Sequence, residues 1–89
     1  MLLVIDAGNT NVVFAVFKGD TLAGQWRIAT DAKRTADEYG VWLSQVMEHA
    51  GLSPKKITGA IMASVVPQSL FELRQLSKRY FHTELMVIG

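Results

Sequence analysis

Eighty-nine residues with 49% hydrophobic and 19% charged content suit one small globular domain or part of a larger one, and exclude wholesale disorder. A formal net charge of +1, with basic residues in isolated pairs at Lys33-Arg34, Lys55-Lys56 and Lys78-Arg79, offers no footprint for nucleic acid or an acidic membrane. The absence of cysteine removes disulfides, thiol nucleophiles and thiolate metal sites, and no apolar run reaches the roughly 20 residues of a membrane span, so the expectation is a cytoplasmic protein without a signal peptide.

The chain opens with two β-capable runs, Leu2-Leu3-Val4-Ile5 and Val12-Val13-Phe14-Ala15-Val16-Phe17, separated by Asp6-Ala7-Gly8-Asn9-Thr10-Asn11. Gly8 tolerates positive φ and Asn9 tolerates the left-handed region, so the segment reads as a tight turn closing a hairpin. An acid then stands at the end of the first strand, followed by a tip dense in amide, hydroxyl and backbone N–H groups. Such a tip lets a phosphate approach the backbone, with Thr10 and Asn11 donating hydrogen bonds and Asp6 holding a divalent cation. The bland alternative is an ordinary hairpin in which Asp6 and Asn9 only form the turn.

Lys18-Gly19-Asp20-Thr21 reads as a second tight turn, leading to a strand from Leu22 to Ile28. Period-two alternation puts Leu22, Trp26 and Ile28 on one face, with Gly24 between them, and Gln25 and Arg27 on the other. After the polar stretch 30–34, Thr35-Ala36-Asp37-Glu38 has the spacing of a capping box. A helix of about four turns follows, with Tyr39, Trp42 or Leu43, Val46 or Met47, and Ala50 at helical spacing. Gly51 ends it as a left-handed cap, onto which Leu52 can fold. Ile57 and then 59–66 form a further apolar run, which joins the sheet by a crossover. Pro67 fits the first turn of a second helix, with Leu70, Leu73, Leu76 and Tyr80 as its buried stripe, Phe71 beside it and Glu72 on the wetter side. Leu85 to Ile88 makes a fifth strand, giving the order β-β-β-α-β-α-β. Two helices are few for a mixed sheet of five strands, so the chain is expected to be the front of something longer or to have its sheet covered by a partner.

Four stretches together carry a resemblance: Asp6-Ala7-Gly8-Asn9-Thr10-Asn11, Trp26-Arg27-Ile28, Lys33-Arg34-Thr35-Ala36-Asp37-Glu38-Tyr39-Gly40 and Ser64-Val65-Val66-Pro67. The chain resembles the N-terminal portion of a type III pantothenate kinase, a family within the acetate and sugar kinase, heat-shock protein and actin superfamily. The resemblance implies an α/β, ribonuclease H-like or actin-like ATPase fold, with a mixed sheet flanked by helices and residues 1–89 forming the N-terminal portion of the first such domain. It implies transfer of the ATP γ-phosphoryl group to pantothenate, the first step of coenzyme A synthesis. It also implies Mg²⁺ with ATP, a monovalent cation (K⁺ or NH₄⁺) and a homodimer.

On the same basis Asp6, Ala7, Gly8, Asn9, Thr10, Asn11, Val12 and Val13 match the family's first phosphate motif, with Asp6 binding or orienting the metal. A carboxylate at the end of a buried strand also needs a partner, which a cation would supply. The family's Gly-x-Asp-Arg motif, with the proposed base and the pantothenate contacts, is expected beyond Gly89, so no catalytic residue is assigned within the chain and the 89 residues alone are expected to be inactive. Ala7 stands where Val is frequent and Ala63 where Ser is frequent. The alternative function is a non-catalytic transcriptional accessory protein on the same scaffold. Lys33 and Arg34 read as solvated loop charges, His49 and His82 as structural, Trp26 and Trp42 as packing residues, and Ser64 as a hydroxyl that could face a nucleotide cleft.

Overall fold

Alternation of apolar residues builds the first half of the sheet. The computed structural model describes residues 1–64 and 66–88, with the backbone alone for Ser64. Strand β1 (Leu2–Ala7) pairs antiparallel with β2 (Asn11–Lys18), aligning Leu3 with Val16, Ile5 with Phe14 and Ala7 with Val12. All six side chains are buried on one face. At the second turn only the first central residue, Gly19, has positive φ (58°), as a II′-type connection requires. Strand β3 (Thr21–Ala29) then returns antiparallel to β2.

The expected face of Leu22 is corrected by a bulge. Register shifts between Val16 and Phe17, so Phe17 faces Leu22 while Val16 faces Gly24. The extra residue, Ala23, inverts the alternation. Gly24, Trp26 and Ile28 share the buried face, whereas Leu22 falls on the other and is 49% exposed. Gly24 has no room for a side chain, because a Cβ there would lie 2.4 Å from the Trp26 ring.

Helix α1 (Ala36–His49) starts on the expected capping box: the Glu38 amide donates to Thr35 Oγ1 (3.2 Å) and the Thr35 amide to Glu38 Oε1 (2.9 Å). Its C-terminus closes as expected too. The amides of Leu52 and Gly51 donate to the carbonyls of Met47 and Glu48, both at 2.9 Å, with Gly51 at φ 81° and Leu52 buried. A 3₁₀ turn at Pro54–Lys56 leads to β4 (Gly59–Ser64), which lies parallel to β1. Helix α2 (Pro67–Phe81) begins with Pro67 in its first turn, and His82 ends it in the left-handed region at φ 53°. Strand β5 (Leu85–Val87) adds parallel to β4, giving the sheet order β3-β2-β1-β4-β5.

Both crossovers step across the sheet in the same direction, so right-handed connections put α1 and α2 on the same face. They pack there against each other and against one core containing Leu3, Phe14, Leu43, Met62, Leu73 and Leu76. Phe14 is central, with its ring 5.9 Å from Tyr39 and 5.6 Å from Trp42. Phe71, expected beside the buried stripe of α2, is 66% exposed; Phe81 is buried instead. Glu72, expected on the wetter side, accepts from the Ala36 amide at 3.1 Å and so caps α1 from its neighbour. The opposite sheet face carries half-buried Val4, Ala15, Phe17 and Ile61, with exposed Leu22 and Met86.

The helices approach closely at Gly40, where a Cβ would lie 2.4 Å from the Tyr80 ring. The Tyr80 hydroxyl donates to Asp37 Oδ1 at 3.0 Å, which holds the ring there. Gly40→Ala is expected to lower stability by about 1–2 kcal/mol, because overpacking exceeds the roughly 1 kcal/mol gained in helix propensity. In a Tyr80→Ala background the same substitution should become neutral or stabilising. A double-mutant cycle in urea checks the change of sign.

Candidate functional site

Parallel strands β1 and β4 end side by side, and ligands of open α/β sheets bind beyond such carboxyl ends. A register shift after Ile5 brings Asp6 opposite Ser64 across these strands. The Gly8–Asn11 loop projects from the same end, and α2 begins there, with neither a side-chain cap nor an acid in its first turn. The Ser64 hydroxyl and Val65 lie outside the described residues.

Within the loop, the Gly8 amide donates to the Asn11 carbonyl at 2.9 Å. Gly8 is not at positive φ, contrary to the sequence reading. Its need is space: a Cβ would stand 3.0 Å from that same carbonyl oxygen. Asn9 and Thr10 are exposed, and among the described residues their amides have no carbonyl partner. The Asn11 side-chain amide donates to Thr10 Oγ1 at 3.3 Å. The tip therefore presents free N–H groups with little bulk, an arrangement suited to polyphosphate oxygens.

The eight residues of the expected phosphate segment divide by burial. Ala7 and Val12 face the core at 2% and 0% exposure, so their side chains form the base of the loop rather than a contact surface. Asp6 and Val13 are paired on the opposite sheet face, and Asp6 is exposed. The expected desolvation argument for a cation at Asp6 therefore fails, since water reaches the carboxylate. What remains is an accessible acid beside free amides, and that fits a phosphate-bound Mg²⁺, which keeps several waters and takes one or two carboxylates. Among the described residues no group of three His, Cys, Asp or Glu side chains could form an all-protein metal cage. Arg27, which is exposed, stands opposite Val13 and so shares a rung with Asp6, two strands and roughly 10 Å of backbone spacing away.

Thr30, outside the segment, bonds to it directly, and Arg34 holds the strand end that carries Thr30. The Thr30 hydroxyl donates to the Gly8 carbonyl at 2.8 Å and the Thr30 amide to the Thr10 carbonyl at 2.9 Å. Arg34, expected to be a solvated loop charge, is half-buried: its Nη2 donates to the Ala29 carbonyl at 3.1 Å and its guanidinium lies 5.8 Å from the Tyr39 ring centre. Sequence spacing could not join Thr30 to Gly8, which lie 22 residues apart and meet only through the β2–β3 register.

Among the described residues the Tyr39 hydroxyl is buried without a hydrogen-bond partner, as are Arg34 Nε and the Ser69 hydroxyl. Burial raises the Tyr39 phenol above its ordinary value of 10.0, against an opposing pull from the nearby Ser69 and Arg34. Above pH 10 the native state thus retains a proton that the unfolded chain loses, and stability falls as pH rises through the folded value. Tyr39→Phe is expected to be neutral or slightly stabilising at pH 7 and to make the alkaline decline shallower. Thermal unfolding from about pH 8 to 11 checks both effects.

A depression of about 550 Å³ is lined by Ser44, Glu48, Lys55, Tyr80 and His82. It lies at the other end of the sheet, beside the start of β4, roughly 20 Å of strand from the loop. This depression is therefore separate from the free amides.

Residues 2–89 match the family model for type III pantothenate kinase. The chain belongs to that family. Similar relatives bear the same family name: one from Rhodospirillum rubrum is 60% identical, one from Phenylobacterium zucineum 58% and one from Paramagnetospirillum magneticum 57%, each over all 89 residues. The chain spans about a third of the length of these type III pantothenate kinases (35%, 35% and 34%).

Among solved structures, a ROK hexokinase from Thermus thermophilus superposes with a TM-score of 0.70 at 13% identity, covering 98% of this chain and 34% of that one. A Bacteroides thetaiotaomicron protein with an actin-like ATPase fold gives 0.59 at 7% identity, covering 98% of this chain and 32% of that one. The architecture is thus the actin-like α/β fold read from the sequence.

Proposed function

We propose that the full-length protein is a type III pantothenate kinase, transferring the γ-phosphoryl group of ATP to the hydroxyl of pantothenate to give 4′-phosphopantothenate, in the first step of coenzyme A synthesis. The observation that carries this reading is the family match over residues 2–89. Residues 1–89 would be the N-terminal portion of the first actin-like domain, and the segment from Asp6 to Val13 its phosphate loop. The exposed loop amides support that role.

In this reading the amides of Asn9 and Thr10 and the Thr10 and Asn11 side chains bind phosphate oxygens. Ala7 and Val12 anchor the loop to the core, and Gly8 keeps its backbone narrow. Asp6 holds Mg²⁺, directly or through water. When bound, Mg²⁺ supplies positive charge that offsets charge on the transferring group. The base that accepts the pantothenate proton and the site for a monovalent cation would belong to the remainder of the full-length protein. A cytoplasmic homodimer completes the proposal. No helix among the described residues is long and apolar enough to cross a membrane.

The test is phosphorylation of pantothenate by the purified full-length protein with ATP and Mg²⁺, followed by detection of 4′-phosphopantothenate. Product formation dependent on all three components supports the kinase. Absence of product, with the protein folded, would favour the accessory role on the same scaffold, for which no observation speaks at present.

A further inference from the structure

We propose that Thr30, outside the phosphate segment, is a positioning residue that sets the nucleotide affinity of the loop by fixing the Gly8–Asn9 peptide. The inference rests on reading Asp6 to Val13 as a phosphate loop. Its physical basis is the geometry of one peptide plane. In a trans peptide the C=O and N–H point in opposite directions, and the chain contains no cis peptide among the described residues. The Thr30 hydroxyl draws the Gly8 carbonyl toward the end of β3 at 2.8 Å. The Asn9 N–H, across the same plane, is thereby directed away from β3.

Rotation of that plane would place a carbonyl oxygen where an amide should meet phosphate, replacing attraction by repulsion. The second bond, from the Thr30 amide to the Thr10 carbonyl at 2.9 Å, ties down the next part of the tip. Thr30 is itself fixed, because Arg34 grips the preceding carbonyl of Ala29 while lying over buried Tyr39. A continuous set of contacts thus runs from the core through Arg34 and the end of β3 to the loop. Neither Thr30 nor Arg34 need touch the nucleotide for this to operate.

The experiment compares wild-type, Thr30→Val and Thr30→Ser full-length proteins by calorimetric titration with Mg·ATP and by steady-state pantothenate phosphorylation. Valine keeps the shape and the backbone amide but lacks the hydroxyl, whereas serine restores the donor. Thr30→Val should weaken ATP binding and raise KM for ATP about tenfold, with little change in KM for pantothenate, and Thr30→Ser should recover most of the loss. A merely structural role would lower Tm without separating the two KM values. Unchanged ATP affinity in Thr30→Val, equal loss toward both substrates, or failure of serine to rescue would overturn the proposal. Tight ATP binding weakened by valine, in a protein that does not phosphorylate pantothenate, would sustain the positioning role while refuting the kinase reading.

Discussion

Asp6→Ala and Asp6→Asn in the full-length protein are each expected to reduce pantothenate phosphorylation by about a hundredfold or more, the scale seen when a group that stabilises transition-state charge is removed. Asn is close in shape to Asp and keeps an acceptor oxygen, so equal losses in the two variants would assign the effect to charge. Stability should barely move. Asp6 is exposed, and substitutions at exposed positions without special backbone or network roles usually fall within about 0.5 kcal/mol. Steady-state kinetics beside a denaturation curve therefore separates chemistry from folding. Unchanged turnover in both variants would remove Asp6 from the mechanism.

Phe14→Ala should produce the largest loss of stability, about 3–5 kcal/mol. The side chain is fully buried, and its ring touches those of Tyr39 and Trp42 from α1, so truncation leaves a cavity where strand and helix meet. Against a total domain stability of roughly 5–15 kcal/mol, that loss would place a substantial fraction of molecules near the unfolding threshold. Phe14→Leu, which retains most of the volume, should cost markedly less. Urea denaturation of the full-length variants checks the order. A cost below about 1 kcal/mol for the alanine variant would mean the surrounding rings collapse into the space.

Local chemistry was legible in the sequence, and relations between distant segments were not. Thr35 and Glu38 stand three residues apart, so their reciprocal cap follows from spacing alone, as does the Gly51–Leu52 closure of α1. The hairpin and the order of elements follow in the same way from alternation and turn residues. Leu22 was misplaced because one extra residue at Ala23 inverts a period-two pattern, and nothing in the composition of β3 announces it. Phe71 and Phe81 are both aromatic and both in α2. Only the packing of that helix against the sheet decides that the second is buried and the first is not.

The same limit applies at the candidate site. Its hexapeptide was visible because its residue types are adjacent in sequence. Its supports at Thr30 and Arg34 were not, because their partners are set by strand register and by the packing of Tyr39. Glu72 repeats the lesson: charge suggested solvent, yet the fold turns it onto the amide of Ala36, 36 residues away. The exposure of Asp6 also changes the reason for assigning it a metal. The relevant property is access beside free amides, rather than a buried charge in need of compensation.

The most direct measurement is a crystal structure of the full-length protein with Mg²⁺ and a non-hydrolysable ATP analogue. The expected result is a polyphosphate lying against the amides of Asn9 and Thr10, with the metal on its far side within reach of Asp6. A nucleotide bound elsewhere, with the Gly8–Asn11 loop facing only solvent, would contradict the assignment of this hairpin as the phosphate site.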